Sequence, residues 1–345
     1  MSSNEIITGT SGLLNLGNTC FMNSIIQVLS HTYEFQKEII DSVHRLDKKR
    51  LSCTLVCLWL KLREELWAKD RHIVKPELFV RLIQFIAKQK QNSMFTGWDQ
   101  NDASEFFVFL MEILHEGLVY PVSISINGKI HNQKDKIARL CYTRFKEMNE
   151  KEYSKVVGMF YGIQVTQMTS ITDENLSNTA DPYFIIHLPI PNHKTPTITD
   201  CFDAYIQKEL LENDSAWYNE ETKRKQSAFK HTCFWSFPDV LVVDFKRFHY
   251  DGRKNNILID FPLDMLDLNP YSIGYTQTNY YECYGIVNHS GKTMGGHYTS
   301  FVKHLNGKWY HYNDSYVSEM STERLITPKA YMLFYRRISR TILKK

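Results

Sequence analysis

No stretch of the 345-residue chain approaches the roughly 18 consecutive apolar residues needed to span a bilayer, so no membrane-spanning helix is expected. The opening Met1-Ser2-Ser3-Asn4-Glu5 has neither a basic n-region nor an apolar h-region, so no secretory signal is expected. An excess of charge of one sign is also nearly absent: the net is +3, too small to argue for nucleic acid or a membrane surface as partner. Small basic clusters occur at Lys223-Arg224-Lys225 and from Arg336 to Lys345, and both read as solvated surface, with a nuclear signal as the alternative. No Cys-x-x-Cys pair occurs, so neither a structural zinc nor any other cofactor is expected. Cys53 and Cys57 are four apart on a helix without a second pair and read as core packing. The seven cysteines are odd in number and scattered, which reads as reduced thiols in a cytosolic or nuclear protein. Internal repeats, coiled-coil heptads and low-complexity linkers are missing too.

What remains is a globular composition, 43% hydrophobic and 23% charged, enough for one large or two modest domains. Residues 12 to about 118 carry helical spacing. Cys20 to Leu29 opens one helix; Leu51, Leu55, Leu58 and Leu62 mark a second; Pro76 starts a third with a stripe of Leu78, Leu82 and Ile86. Asp102-Ala103-Ser104-Glu105 has capping-box spacing, and Phe106, Phe109, Leu110, Ile113 and Leu114 follow as an apolar face. After Pro121 the character changes. Val122 to Ile126 alternates and predicts a short strand, and Ile130 to about Tyr153 is charged and partly helical. From Val156 onward short β-type runs dominate, among them Val240 to Phe245, Tyr284 to Val287, Tyr298 to Val302, Trp309 to Tyr312 and Tyr331 to Tyr335. Asn192 to Pro196, Asp251 to Asn256, Asn269 to Tyr275 and Ser290 to Gly296 read as turns. The pattern is one α+β unit, helical first and β-rich later, whose two halves must pack face to face.

Cys20 stands where a glycine-containing turn, Gly12 to Thr19, runs into the first helix. A helix start favours the thiolate, which suits a nucleophile; the alternative is an ordinary buried thiol. A cysteine nucleophile needs a base, and the base needs an orienting acceptor. His297 follows the glycines Gly295 and Gly296, which would let backbone approach a substrate closely, and is otherwise a structural histidine in a turn. Asn313 or Asp314 could hold its ring, giving the chain order of a papain-type triad.

The segments Gly12 to Leu29, Tyr284 to Ser290, Gly295-Gly296-His297-Tyr298, Trp309 and Tyr312-Asn313-Asp314-Ser315 together closely resemble the cysteine and histidine signatures of the ubiquitin-specific protease family of deubiquitinases. Trp98 to Phe106, Leu188-Pro189-Ile190-Pro191, Leu241 to Phe248 and Phe261-Pro262-Leu263 match the same family in order, so the resemblance covers roughly residues 10 to 337. It implies a single papain-like α+β catalytic domain over 10–337. A helical thumb would span about 10–120, and β-hairpin fingers about 157–235 within a β-rich palm, leaving a basic tail at 338–345. It implies a thiol-dependent ubiquitinyl hydrolase acting on ubiquitin and ubiquitinated proteins. Cys20 would be the nucleophile, His297 the general base and Asn313 the orienting residue, with Asp314 assisting or substituting. Asn15, five residues before the cysteine, would join the Cys20 backbone N–H in an oxyanion hole, while Asn18 has a turn role.

Ubiquitin's tail carries arginines before its terminal glycine pair, so the resemblance implies a narrow channel past Gly295 and Gly296 with acidic residues beyond it. Asp102 and Glu105 lie in the matching box, though Asp102 reads equally as a helix cap. Loops at about His249 to Ile257 and His289 to Gly295 would flank the tail and close on binding. His289 and His311 are the other histidines near the site. Many relatives carry two zinc-binding Cys-x-x-Cys pairs in the fingers; the stretches at 167–172 and 218–225 have no cysteine, so fingers here would be zinc-free and held by apolar packing. Two other readings remain open: a ubiquitin-binding protein with little catalysis, and a protease for another ubiquitin-like modifier.

Overall fold

A computed structural model describes residues 8–338, apart from 48, 221, 250, 277, 293 and 294. The opening residues 1–7 and all but the first residue of the 338–345 tail lie outside the described residues. Five helices form the thumb: α1 (Cys20–Ser30), α2 (Tyr33–Ser42), α3 (Leu51–Leu66), α4 (Glu77–Gln89) and α5 (Ala103–Leu118). A short parallel pair, β1 (Gly12–Leu13) with β2 (Ile73–Val74), ties the chain before α1 to the thumb. All of α1 is buried, polar residues included. Its serines bond back along the helix, Ser24 Oγ to the Phe21 carbonyl at 3.0 Å and Ser30 Oγ to the Gln27 carbonyl at 2.9 Å, while Gln27 Nε2 donates to the Ser11 carbonyl at 3.0 Å.

Two helical stripes differ from their sequence reading. In α4 the buried face is Phe79, Val80, Ile83, Ile86 and Ala87, and Leu78 is 65% exposed. This face is one position out of phase with the leucines because the larger apolar set, led by Phe79 against Trp59 of α3, turns inward. In α3, Leu55 and Leu62 are buried but Leu51 is exposed. The expected strand Val122 to Ile126 is not formed. Tyr120 pairs with Tyr153 and the Val122 N–H reaches the Glu150 carbonyl, but no strand lies beside the segment beyond that point, and alternation alone does not hold an extended chain.

α6 (Gln133–Asn149) and α7 (Lys155–Phe160) lead into the β-rich half. The fingers are an antiparallel sheet in the order β4-β3-β9-β6, from β3 (Gly162–Thr169), β4 (Asn175–Tyr183), β6 (Glu209–Leu211) and β9 (Ala228–Ser236). The small hairpin β7 (Trp217–Asn219) and β8 (Arg224–Gln226) pairs separately. α6 covers the finger sheet, closing a core of Ile137, Ala138, Cys141, Ile163, Val165, Ala180, Cys233 and Trp235. The β3–β4 turn is held by Ser170 Oγ, which accepts from the Thr172 and Glu174 N–H groups.

The palm sheet runs β15-β14-β13-β12-β16-β10-β5. Its strands are β5 (Ile186–Leu188), β10 (Val240–Phe245), β12 (Tyr280–Lys292), β13 (Gly295–Lys303), β14 (Trp309–Asn313), β15 (Tyr316–Met320) and β16 (Ala330–Arg337), with β11 (Leu266–Asp267) beside β12. Both faces are apolar. Val240, Val242, Met332 and Phe334 face the thumb, while Leu241, Val243, Leu333 and Tyr335 face the opposite core with α8 (Ile198–Ile206). Period-two alternation thus feeds two cores from one sheet. The expected turn at Ser290 to Gly296 is instead the paired end of a hairpin, with Ser290 opposite His297 and Lys292 opposite Gly295. Only 293 and 294 of the expected loop lie outside the described residues. The base of the 249–257 loop is pinned by wholly buried Arg247, whose Nη1 donates to the Asn255 and Ile257 carbonyls at 3.0 and 2.9 Å.

At the end of α1, His31 is fully buried, its Nδ1 on the Gln27 carbonyl at 2.8 Å and its Nε2 beside the Tyr312 hydroxyl at 3.1 Å. Burial holds its pKa down at about 3. An unfolded histidine takes up its proton near 6.5, so the neutral native state is fully favoured above that pH and loses ground as pH falls toward 3. The expected cost is up to about 1.4 kcal/mol of stability per pH unit. Urea unfolding at pH 7.5 and 4.5 checks this: His31→Gln should lose less stability between the two than the wild type, and an equal loss assigns the acid sensitivity elsewhere.

Candidate active site

α1 begins at Cys20, and the thiol faces β13, where it meets the backbone N–H of Tyr298. The residue before Tyr298 is His297. Its Nε2 lies 2.6 Å from Asn313 Oδ1, which leaves Nδ1 as the other ring nitrogen. An amide oxygen only accepts, so the proton on Nε2 is the one donated to Asn313. β13 and β14 supply these partners directly, since they are adjacent antiparallel strands.

Asp314 does not take the place Asn313 holds. It sits at a positive φ of 50° in the β14–β15 turn, and its carboxylate turns toward the thumb. There it accepts from Asn15 Nδ2 at 2.9 Å and from Asn23 Nδ2 at 2.7 Å. Asn15 is itself fixed from the other end: its Oδ1 accepts from the Gly17 and Thr19 N–H groups at 3.0 and 3.1 Å. The amide is therefore oriented with one Nδ2 N–H on Asp314 and the second without a partner among the described residues. Asn18, at a φ of 55°, shapes the same turn and donates to the Trp98 carbonyl at 2.9 Å. β1 closes the arrangement, with the Leu13 N–H on the Asp314 carbonyl at 2.9 Å.

The thiol's environment corrects one sequence expectation. A helix start was expected to lower the Cys20 pKa; burial instead pushes it up, and the Asp314 carboxylate pushes the same way. The Tyr298 N–H, the Gln100 side chain and the Phe21 N–H pull in the opposite direction without overcoming burial. Cys20 is 2% exposed, and desolvation of a thiolate outweighs a partial helix charge there.

Asp102 is the N-cap of α5. Its Oδ1 accepts from the Ser104 and Glu105 N–H groups at 2.7 and 3.2 Å, and its Oδ2 takes the Tyr331 hydroxyl at 2.7 Å. Both oxygens are engaged within the protein, which places Asp102 in the helix cap that formed one of its two readings. Glu105 does not reach back to complete a capping box; it is exposed. The cleft past Gln100, Gly295 and Gly296 shares Asp102 and Phe248 with a second one bounded by Glu105, His187 and Asp244, so the two clefts adjoin.

The glycine pair is not symmetric. A Cβ on Gly296 would lie 2.2 Å from His289 Nε2 and 2.5 Å from the Ser290 carbonyl oxygen. At Gly295 the nearest atom is Gln100 Oε1 at 3.9 Å. Gly296 is thus required by the imidazole packed behind it, whatever passes in front. Gly296→Ala should cost about 1–3 kcal/mol of stability and Gly295→Ala less than about 0.5 kcal/mol. Thermal unfolding of the two variants reads the difference, and equal shifts contradict it. His289 itself is buried against Tyr298, with burial lowering its pKa to about 4, and His311 is packed on Phe301. Neither bonds the triad among the described residues.

Two site residues escaped the sequence reading. Asn23 lies one helical turn after Cys20, a spacing that could have marked it. Gln100 precedes the Asp102 box, and only its distance to Gly296 and Cys20, far along the chain, reveals a role.

A thiol on a central helix and a strand-borne imidazole held by an asparagine, set between a helical thumb and a β-rich palm, make up a domain of papain-like fold. The sequence model of the family described as "Ubiquitin carboxyl-terminal hydrolase" matches residues 11–335, and the chain belongs to that family. It is 32% identical to ubiquitin carboxyl-terminal hydrolase Usp2 of Drosophila melanogaster over 97% of this chain and 36% of the relative. It is also 32% identical to ubiquitin carboxyl-terminal hydrolase 2 of Homo sapiens over 95% of this chain and 55% of the relative. The chain therefore spans only about a third to a half of the length of these relatives. Among solved structures, a chain of the SAGA DUB module bound to monoubiquitin superimposes with a TM-score of 0.75 at 28% identity, covering 98% of this chain and 71% of the other. The same module bound to ubiquitin aldehyde gives 0.75 at 27% identity over 98% and 71%.

Proposed function

We propose that the protein is a deubiquitinase that hydrolyses isopeptide and peptide bonds after the C-terminal glycine of ubiquitin. The observation that carries this is the 2.6 Å contact of His297 Nε2 with Asn313 Oδ1, which leaves Nδ1 to take a proton from Cys20, whose thiol meets the N–H of the next residue, Tyr298. In this reading Cys20 loses its proton to His297 and the thiolate attacks the glycine carbonyl. The oxyanion is met by the free N–H of Asn15 and the Cys20 backbone N–H. The imidazolium then protonates the leaving lysine amine, a thioester remains, and His297 activates the water that cleaves it. Asn313 keeps the ring in the productive tautomer, and Asp314 acts through Asn15 by fixing its amide.

Gly295 and Gly296 line the inner groove, and Glu105 rather than Asp102 is the free carboxylate for the arginines of ubiquitin's tail. The described residues hold no helix long and apolar enough to cross a membrane, and their seven cysteines are free thiols, the state a reducing cytosol or nucleus keeps.

Turnover of ubiquitin C-terminal amides and of isopeptide-linked diubiquitin tests the reading. Release of the amine at micromolar enzyme with a requirement for reduced thiol is the expected result. Binding of ubiquitin without release would make the chain a ubiquitin-binding protein. Preferential cleavage of another modifier's amide would make it a protease for that modifier.

A further inference from the structure

Gln100 sits two residues before the Asp102 cap, so its backbone is anchored to the thumb at the start of α5. Its side chain crosses the cleft to β13. Oε1 accepts the Gly296 N–H at 2.8 Å, and Nε2 donates to the carbonyl of the same residue. Gly296 offers both groups because β14 pairs with β13 only from Ser300 onward, leaving the strand edge open there. The carboxamide thus takes the place of a neighbouring strand for one residue. A carboxamide nitrogen carries two N–H groups. With one on Gly296, the second is available to Cys20 Sγ, 3.8 Å from Nε2.

We propose that Gln100 is a positioning residue for the thiol chemistry: it holds the His297 strand in register with the thumb and donates a hydrogen bond that stabilises the Cys20 thiolate. This rests on the reading of Cys20 as nucleophile given above. Two demands on the site make such a donor useful. The thiol is buried, and the Asp314 carboxylate disfavours a second negative charge beside it. The groups that favour the thiolate among the described residues are the Tyr298 and Phe21 backbone N–H groups and Gln100, and Gln100 is the one side chain among them. A neutral donor adds no formal charge of its own to the groove. The same carboxamide fixes Gly296, next to His297, from the thumb, while Asn313 holds the imidazole itself from the palm.

Gln100→Met and Gln100→Glu test this together. Methionine keeps the length and bulk of the side chain but has no N–H; glutamate keeps the shape and replaces the donor with a charge. The first readout is the pH dependence of Cys20 alkylation by iodoacetamide in the free protein, scored by mass spectrometry on the Cys20 peptide. Loss of a hydrogen bond to the charged form should move the midpoint about one pH unit higher in both variants. The second is the split of kcat and KM on a ubiquitin C-terminal fluorogenic amide: kcat should fall about ten- to a hundredfold with KM changed less than about threefold. Wild-type alkylation midpoints in both variants would overturn the proposal. A rise in kcat/KM on removing the carboxamide would also overturn it, since Gln100 would then be an obstruction. Alkylation needs no ubiquitin. A wild type inert toward ubiquitin but with the expected midpoint shifts would therefore fault the substrate assignment and leave the role of Gln100 standing.

Discussion

Replacing Cys20 by alanine is expected to abolish turnover of ubiquitin amides, a loss of about a millionfold in kcat, while ubiquitin still binds. Removing the sulfur removes the atom that forms the thioester, and no neighbouring group replaces it. None of the other six cysteines, Cys53, Cys57, Cys141, Cys201, Cys233 and Cys283, bonds His297 among the described residues. The substitution leaves a small void at a buried position, costing about 1 kcal/mol, which a core of this size tolerates. Ubiquitin affinity should stay within about threefold of wild type, because the groove and Glu105 are untouched. Isothermal titration calorimetry alongside steady-state kinetics separates the two quantities. Residual turnover above background would place the nucleophile elsewhere.

The second large effect separates the neighbours Asn313 and Asp314. Asn313→Ala should lower kcat by about a hundred- to ten-thousandfold with little change in KM, because the imidazole loses the partner that fixes its tautomer and orientation. Asp314→Ala should act through the Asn15 amide and cost about a hundredfold, the usual loss of one oxyanion donor. Asn15→Ala should cost a similar amount. The double variant Asn15→Ala/Asp314→Ala should be little worse than either single, since both remove the same oriented N–H. Asn15→Ala/Asn313→Ala should instead multiply the two losses. Kinetics on the folded variants decides it. If Asp314→Ala alone abolishes turnover while Asn313→Ala remains active, the ring is oriented by the carboxylate.

The candidate groups were legible in the sequence where each carries its own local mark. Cys20 follows a turn and opens a helix, His297 follows a glycine pair, and Asn313 ends an aromatic-rich strand. Roles that depend on contacts between distant segments were not legible. Whether Asn313 or Asp314 faces the ring depends on the direction of the β14–β15 turn, and the positive φ of Asp314 sends its carboxylate to Asn15 and Asn23. The upward pressure on the Cys20 pKa comes from burial under the palm and from Asp314, both consequences of tertiary packing. Gly296 looked like a substrate-approach glycine, but the ring of His289 lies where its side chain would be. On the fold side, strands with two apolar faces, such as Val240–Phe245, announced themselves through β-branched content. Val122 to Ile126 had the alternation of a strand and lacked a partner, which no local pattern reports.

The most direct measurement is covalent capture: incubation with ubiquitin carrying a C-terminal thiol-reactive group, beside the same warhead on other ubiquitin-like proteins, followed by peptide mapping. The account predicts a ubiquitin adduct on Cys20, absent from the other six cysteines, lost in Cys20→Ala and faster than with any other modifier. A folded protein that binds ubiquitin without forming the adduct, or an adduct on a different cysteine, would contradict it.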